Sequence, residues 1–178
     1  MRVTPDQWLL ESVKYFRAIA FFETYRSQTD EELAATLRRL HHEEFDEDFD
    51  PFDAYSDLLL LRWDSNRVWW QDTEADVCID NRVYEETIRE WGVISRGQFL
   101  PQNVQEEWHS DEGPIEISFS LQGQAIQFQP NYLDDYIDTS ILGVINRLIR
   151  RSGYQFEIYE SFDQTVFVVA VTAEEKRA

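Results

Sequence analysis

Ile115-Glu116-Ile117-Ser118-Phe119-Ser120-Leu121-Gln122-Gly123-Gln124-Ala125-Ile126-Gln127-Phe128 is the stretch that decides the fold class. Ile115, Ile117, Phe119 and Leu121 point one way while Glu116, Ser118 and Ser120 point the other, the period of a strand with one buried face. Gln122-Gly123 turns the chain, and Ile126 and Phe128 carry the apolar face back along a return strand. This is a hairpin, and hairpins imply antiparallel pairing.

Two further hairpins are expected on either side. Residues 154–160 and 165–172 form one, with Val166 to Val171 apolar on both faces, as in a central strand. Leu58-Leu59-Leu60-Leu61-Arg62-Trp63 reads as a strand covered on both faces, Asp64-Ser65-Asn66 as a turn, and Arg67-Val68-Trp69-Trp70-Gln71 as its return. Four helices are expected as well, two before the first hairpin and one before each of the other two. Thr4-Pro5 opens a helix over 5–26, and the capping box Thr29 to Glu32 opens a second that fades near His42. Tyr84, Ile88 and Trp91 share a face of a third, over 81–91, which Gly92 stops. The fourth spans 133–151, with Asp134, Asp135 and Asp138 at its start and Arg147, Arg150 and Arg151 at its end, matching the helix dipole. Residues 95–114 read as irregular. The expectation is an α+β fold with a single antiparallel sheet of about six strands built from hairpins and about four helices packed mainly on one face.

Composition bounds the function. The 178 residues suit one domain, 1–178, with an acidic surface loop at 43–57. Twelve Phe, eight Tyr and six Trp provide core material. Thirty-five acids against sixteen bases give a formal net charge of −19. That field repels nucleic-acid phosphates and anionic membranes and attracts a basic partner. The bases are mostly Arg; Lys14 and Lys176 are the only lysines. An acid-rich, Lys-poor chain also fits a housekeeping protein of a salt-adapted cell. Cys78 is the single cysteine, which excludes an intrachain disulfide and suits the reducing cytoplasm. Met1-Arg2-Val3-Thr4-Pro5-Asp6 lacks the apolar run of a secretory leader, and no stretch reaches the roughly 20 apolar residues of a membrane span.

Motifs for catalysis are missing. Asp46, Asp48, Asp50 and Asp57 fall in an EF-hand register, but Pro51 occupies the position that needs Gly. His41-His42 point about 100° apart on a helix and chelate one ion poorly. Asp72, Glu74 and Asp76 would share one face of a strand. Cys78 lies in an apolar and acidic neighbourhood, which does not suit a nucleophilic thiolate. Neither a Gly-x-Ser-x-Gly elbow nor a Walker loop is present.

Residues 43–57 concentrate the charge: eight of the fifteen are acidic and none is basic. Phe45, Phe49, Phe52 and Tyr55 are interleaved with them. Glu43, Glu44, Asp46, Glu47, Asp48, Asp50 and Asp53 are the candidate partner-binding acids, with Phe49 and Phe52 as candidate anchors.

In order and texture, several segments between Trp63 and Thr172 resemble small acidic immunity proteins of bacterial toxin systems. The carrying segments are Trp63-Asp64-Ser65-Asn66-Arg67-Val68-Trp69-Trp70, Phe99-Leu100-Pro101, Glu107-Trp108, the hairpin ending at Pro130, Leu133 to Asp138, and Ile145-Asn146-Arg147-Leu148-Ile149. The resemblance implies a cytoplasmic inhibitor that binds a toxin, with no catalytic residues and no cofactor. The leading expectation is therefore an acidic protein-binding module that occludes a basic partner, a toxin domain being one such partner. The alternative is a divalent-metal-dependent hydrolase using carboxylates near 46–50 or 72–76.

Overall fold

The computed structural model describes residues 4–161 and 164–177. Met1–Val3, which entered the reading of the N-terminus, lie outside the described residues. The chain divides into two compact units, Met1–Val68 and Trp69–Ala178.

The first unit is helical. Helix α1 spans Pro5–Ala18, with Thr4 accepting a hydrogen bond from the Gln7 amide at 3.2 Å. It ends eight residues before the expected 26. Ala20 and Phe22 adopt left-handed φ of 64° and 61°, which no helix continues through. Distant side chains hold this break. The Phe22 amide donates to the Asp64 carboxylate at 2.5 Å, and the Arg67 guanidinium donates to the Ala20 carbonyl and lies over the Phe21 ring. Helix α2, Asp30–Phe45, starts at the expected capping box, with Thr29 N donating to Glu32 at 2.8 Å and Glu32 N to the Thr29 hydroxyl at 3.2 Å. It packs along α1 through Leu33 and Leu37, both fully buried.

The leucine run is a helix and not a strand. Ser56–Leu61 forms α3, with Leu60 buried and Leu58, Leu59 and Leu61 half-buried. Four leucines favour a helix as readily as a strand, so the geometry of the preceding turn decides. The Asp50 and Asp53 carboxylates accept from the Phe52 and Tyr55 amides, two side-chain-to-backbone turns that lead directly into α3.

The second unit holds the sheets. Strand β1, Val68–Asp72, enters it, followed by α4 (Val83–Ile94), β2 (Gln102–Trp108), β3 (Ile115–Leu121), β4 (Gln124–Phe128), α5 (Ile141–Ile149), β5 (Tyr154–Glu160) and β6 (Thr165–Thr172). The expected single six-stranded sheet is replaced by two three-stranded sheets, ordered β1-β6-β5 and β2-β3-β4. The reason is local. With 58–61 helical, β1 has no hairpin partner and pairs with β6, which becomes the centre of its sheet as its two apolar faces require. The β3–β4 hairpin instead gains β2, from a segment expected to be irregular. Only Val104 of β2 is buried, and the register slips between Gln102 and Gln105, so this polar edge strand carries almost no periodic signal. The helix count is also higher than expected, five α-helices among the described residues, because of α3. The helices do not share one sheet face: α4 packs on β2 and β6 while α5 packs on β5.

The other two expected hairpins form as the sequence predicts. β3 alternates buried and half-buried residues along its whole length, and Gln122 and Gly123 both take positive φ in the turn. β5 and β6 pair antiparallel from Tyr154 opposite Thr172 to Glu160 opposite Val166. Trp91, Tyr84, Phe99 and Phe156 anchor the shared core. Gly92 does not stop α4 but lies within it, where the loop approaches closely: a Cβ there would sit 3.1 Å from Pro101 Cδ.

Helix α5 is half the expected length. Residues 131–140 are a loop, tied by the buried Asp138. Its carboxylate accepts from the Asn131 amide at 2.7 Å, the Asn131 side chain at 2.8 Å and the Ser140 amide at 3.0 Å. Burial alone would raise its pKa, but these hydrogen bonds from Ser140 and Asn131 outweigh burial and hold it below the ordinary aspartate value. Asp138 therefore organises the loop in place of completing a helix dipole.

Candidate functional site

The acidic segment runs from the last turn of α2 to the first of α3, all within the first unit. Its residues divide by what they touch. Phe49 is inside: 3% exposed, stacked on the His41 ring at 3.9 Å and tilted against Trp8 at 5.8 Å. Its ring pins the segment to α1 and α2 and offers nothing to a partner. Phe52, three residues on, is 76% exposed.

The acids divide in the same way. Glu44 pairs with the buried Arg62 at 2.5 Å, and that guanidinium also lies over the Phe45 ring. Glu43 pairs with Arg39 at 2.8 Å one turn earlier on α2. Asp48 meets Arg38 at 3.1 Å, an arginine it shares with Asp6. Asp50 and Asp53 each spend one carboxylate oxygen on the backbone turns described above, which fixes Phe52 between them. Asp46 ends α2 in a left-handed conformation, and its amide donates to the His42 carbonyl. The carboxylates of Asp46 and Glu47 have no hydrogen-bond or ion-pair partner among the described residues. The exposed set is thus Asp46, Glu47, Asp50, Phe52 and Asp53: one exposed aromatic ring bordered by carboxylates.

His41 lies beneath this surface, with its Nδ1 buried and unpartnered among the described residues. Burial, aided by the nearby Arg62 charge, holds its pKa below the ordinary histidine value. It packs as an aromatic ring. His42 lies exposed on the other side of the helix, so the pair does not converge on an ion.

The other carboxylate trio is also dispersed. Asp72 accepts from the Glu74 amide at 2.9 Å, and Glu74 accepts from the Tyr136 hydroxyl at 3.2 Å. Among the described residues, no group of three or more His, Cys, Asp or Glu is arranged to hold a metal ion. Cys78 is free and half-buried.

Sequence periodicity missed a second surface, in the other unit. Leu133 and Tyr136, both exposed, border a cleft of about 390 Å³ with Thr73, Thr139 and Glu160. The Glu74 charge, with partial burial and the neighbouring Asp72 and Asp135, raises the Tyr136 pKa. The available signal was the Leu133 to Asp138 run, where apolar residues and acids alternate too closely for a helix face.

No helix among the described residues is long and apolar enough to cross a membrane. No family model, curated protein or solved structure matches the chain. Geometry alone therefore carries the functional reading.

Proposed function

We propose that the protein is a binding module whose acidic segment docks on a basic protein and occludes it, in the manner of an immunity or inhibitor protein, within the cytoplasm. The observation that carries this reading is Phe52. A large aromatic side chain held out in water, with Asp50 and Asp53 fixed on either side by their own backbone turns, has the form of a preorganised anchor within a charged rim. Such a rim speeds encounter with a basic surface, and the ring supplies the apolar contact that holds it. Buried Phe49 makes the display rigid from below.

Immobilised protein exposed to lysate tests the reading, with Asp46→Asn/Glu47→Gln/Phe52→Ala as the comparison. The expected result is a stoichiometric basic protein, retained at low ionic strength, lost at high, and bound by the variant with an association rate at least tenfold lower. Capture of nothing, or equal capture by the variant, would remove the segment from consideration.

A further inference from the structure

Arg147, Arg150 and Arg151 project into one cleft of the second unit. It has a volume of about 590 Å³ and is bounded by the turn at Gly97, the β3–β4 turn and the end of α5. None of its eleven lining residues is acidic, in a chain with 35 acids. The three arginines are exposed, and their guanidinium groups form no ion pair or hydrogen bond with any described residue. Other bases of the same unit are engaged: Arg96 with Glu175 at 2.5 Å, Arg89 with Glu85 at 2.6 Å, Lys176 with Glu157 at 2.6 Å.

Helix polarity accounts for only part of this charge. A helix C-terminus carries about half a negative elementary charge, and one arginine, Arg147 in the last turn of α5, offsets it. Arg150 and Arg151 lie beyond the helix, in a single 3-10 turn closed by Gly153 at φ 83°. Two positive charges are left over. The amide side chains of Gln122 and Gln124, which form no hydrogen bond with described residues, add neutral donors from the facing turn. Guanidinium forks with amide donors match phosphate oxygens, which accept bidentate hydrogen bonds.

We infer that this cleft binds a small phosphorylated ligand through Arg147, Arg150 and Arg151. Size favours a small molecule over a nucleic acid. The cleft volume falls in the usual range for small-ligand sites, about 300–1,000 Å³. A polymer would extend beyond the Debye length of about 8–10 Å and meet the repulsion of a chain with net charge −19. A compact phosphate ester or anhydride meets only the local positive field.

Calorimetric titration of the full chain at low salt with inorganic pyrophosphate and with ATP reads the site directly. Saturable binding of either probe is expected, weakened at least tenfold in Arg147→Gln/Arg150→Gln/Arg151→Gln and unchanged in Arg26→Gln, which removes an exposed arginine elsewhere. The Arg-to-Lys triple variant keeps the charge without the fork and should fall between. Circular dichroism confirms that each variant is folded. ATP binding without pyrophosphate binding would still support the site, with the nucleoside contributing. Absence of binding by both probes, binding indifferent to the triple variant, or tighter binding of oligonucleotide or polyglutamate than of either probe would overturn the inference.

Discussion

The acidic segment 43–57 and the arginine end of α5 carry charge of opposite sign, and they use it in opposite ways. The acidic segment is rich in charge but much of it is engaged: Arg39, Arg62 and Arg38 take up Glu43, Glu44 and Asp48, and backbone amides take up Asp50 and Asp53. The arginine end has three charges and no partners among the described residues. A count of charges ranks the first region far above the second. A count of unengaged charges brings them level. Charge in a sequence describes solubility until the pairing is known.

The sharpest way to test the division inside the acidic segment is to truncate its two phenylalanines separately. Phe49→Ala empties a buried site between His41 and Trp8 and should cost about 3–5 kcal/mol in urea unfolding, with the slope unchanged. Phe52→Ala should stay within about 0.5 kcal/mol, because its ring is in water already. Equal effects would show that the segment is not pinned as described.

A smaller effect separates engaged from displayed acids. Glu44→Ala removes the carboxylate that meets the buried Arg62 at 2.5 Å, and since Glu44 is itself partly exposed, the expected cost is about 1–3 kcal/mol. Glu47→Ala, which breaks no pair, should leave stability within about 0.5 kcal/mol. The same denaturation series measures both. A null result at Glu44 would make it an acid available to a partner and widen the proposed rim.

The smallest expected effect is a pH dependence beneath the segment. His41 has a folded-state pKa below its unfolded value, so the unfolded chain binds more protons as pH falls through the ordinary histidine range near 6.5. Stability should therefore decline between pH 7.5 and 5.5, and His41→Phe should lessen that decline while keeping the ring contact with Phe49. Unfolding curves at the two pH values, compared between wild type and variant, check the sign. An identical decline in both would mean that His41 titrates as freely in the folded protein as in the unfolded chain.

Legibility followed the same line between local and distant causes. The two hairpins at 115–128 and 154–172 and the capping box at Thr29 were readable because adjacent residues determine them. The site was readable only as a stretch of composition. Nothing within 43–57 distinguishes Phe49 from Phe52, since each is a phenylalanine beside an aspartate.

The sequence by itself determined the α+β class, the alternation of β3, the central character of β6, the start of α2 and the concentration of acid at 43–57. Tertiary structure decided the rest. It made Leu58 to Leu61 a helix, because a short apolar run satisfies either period and the preceding Asp50 and Asp53 turns set its course. It gave β1 to β6 and the polar β2 to β3, because an edge strand needs backbone partners more than apolar side chains. It shortened α5, because Asp138 finds three donors in the loop. It also sorted the charges into paired and free, because ion pairs such as Glu44–Arg62 join residues that no local pattern relates.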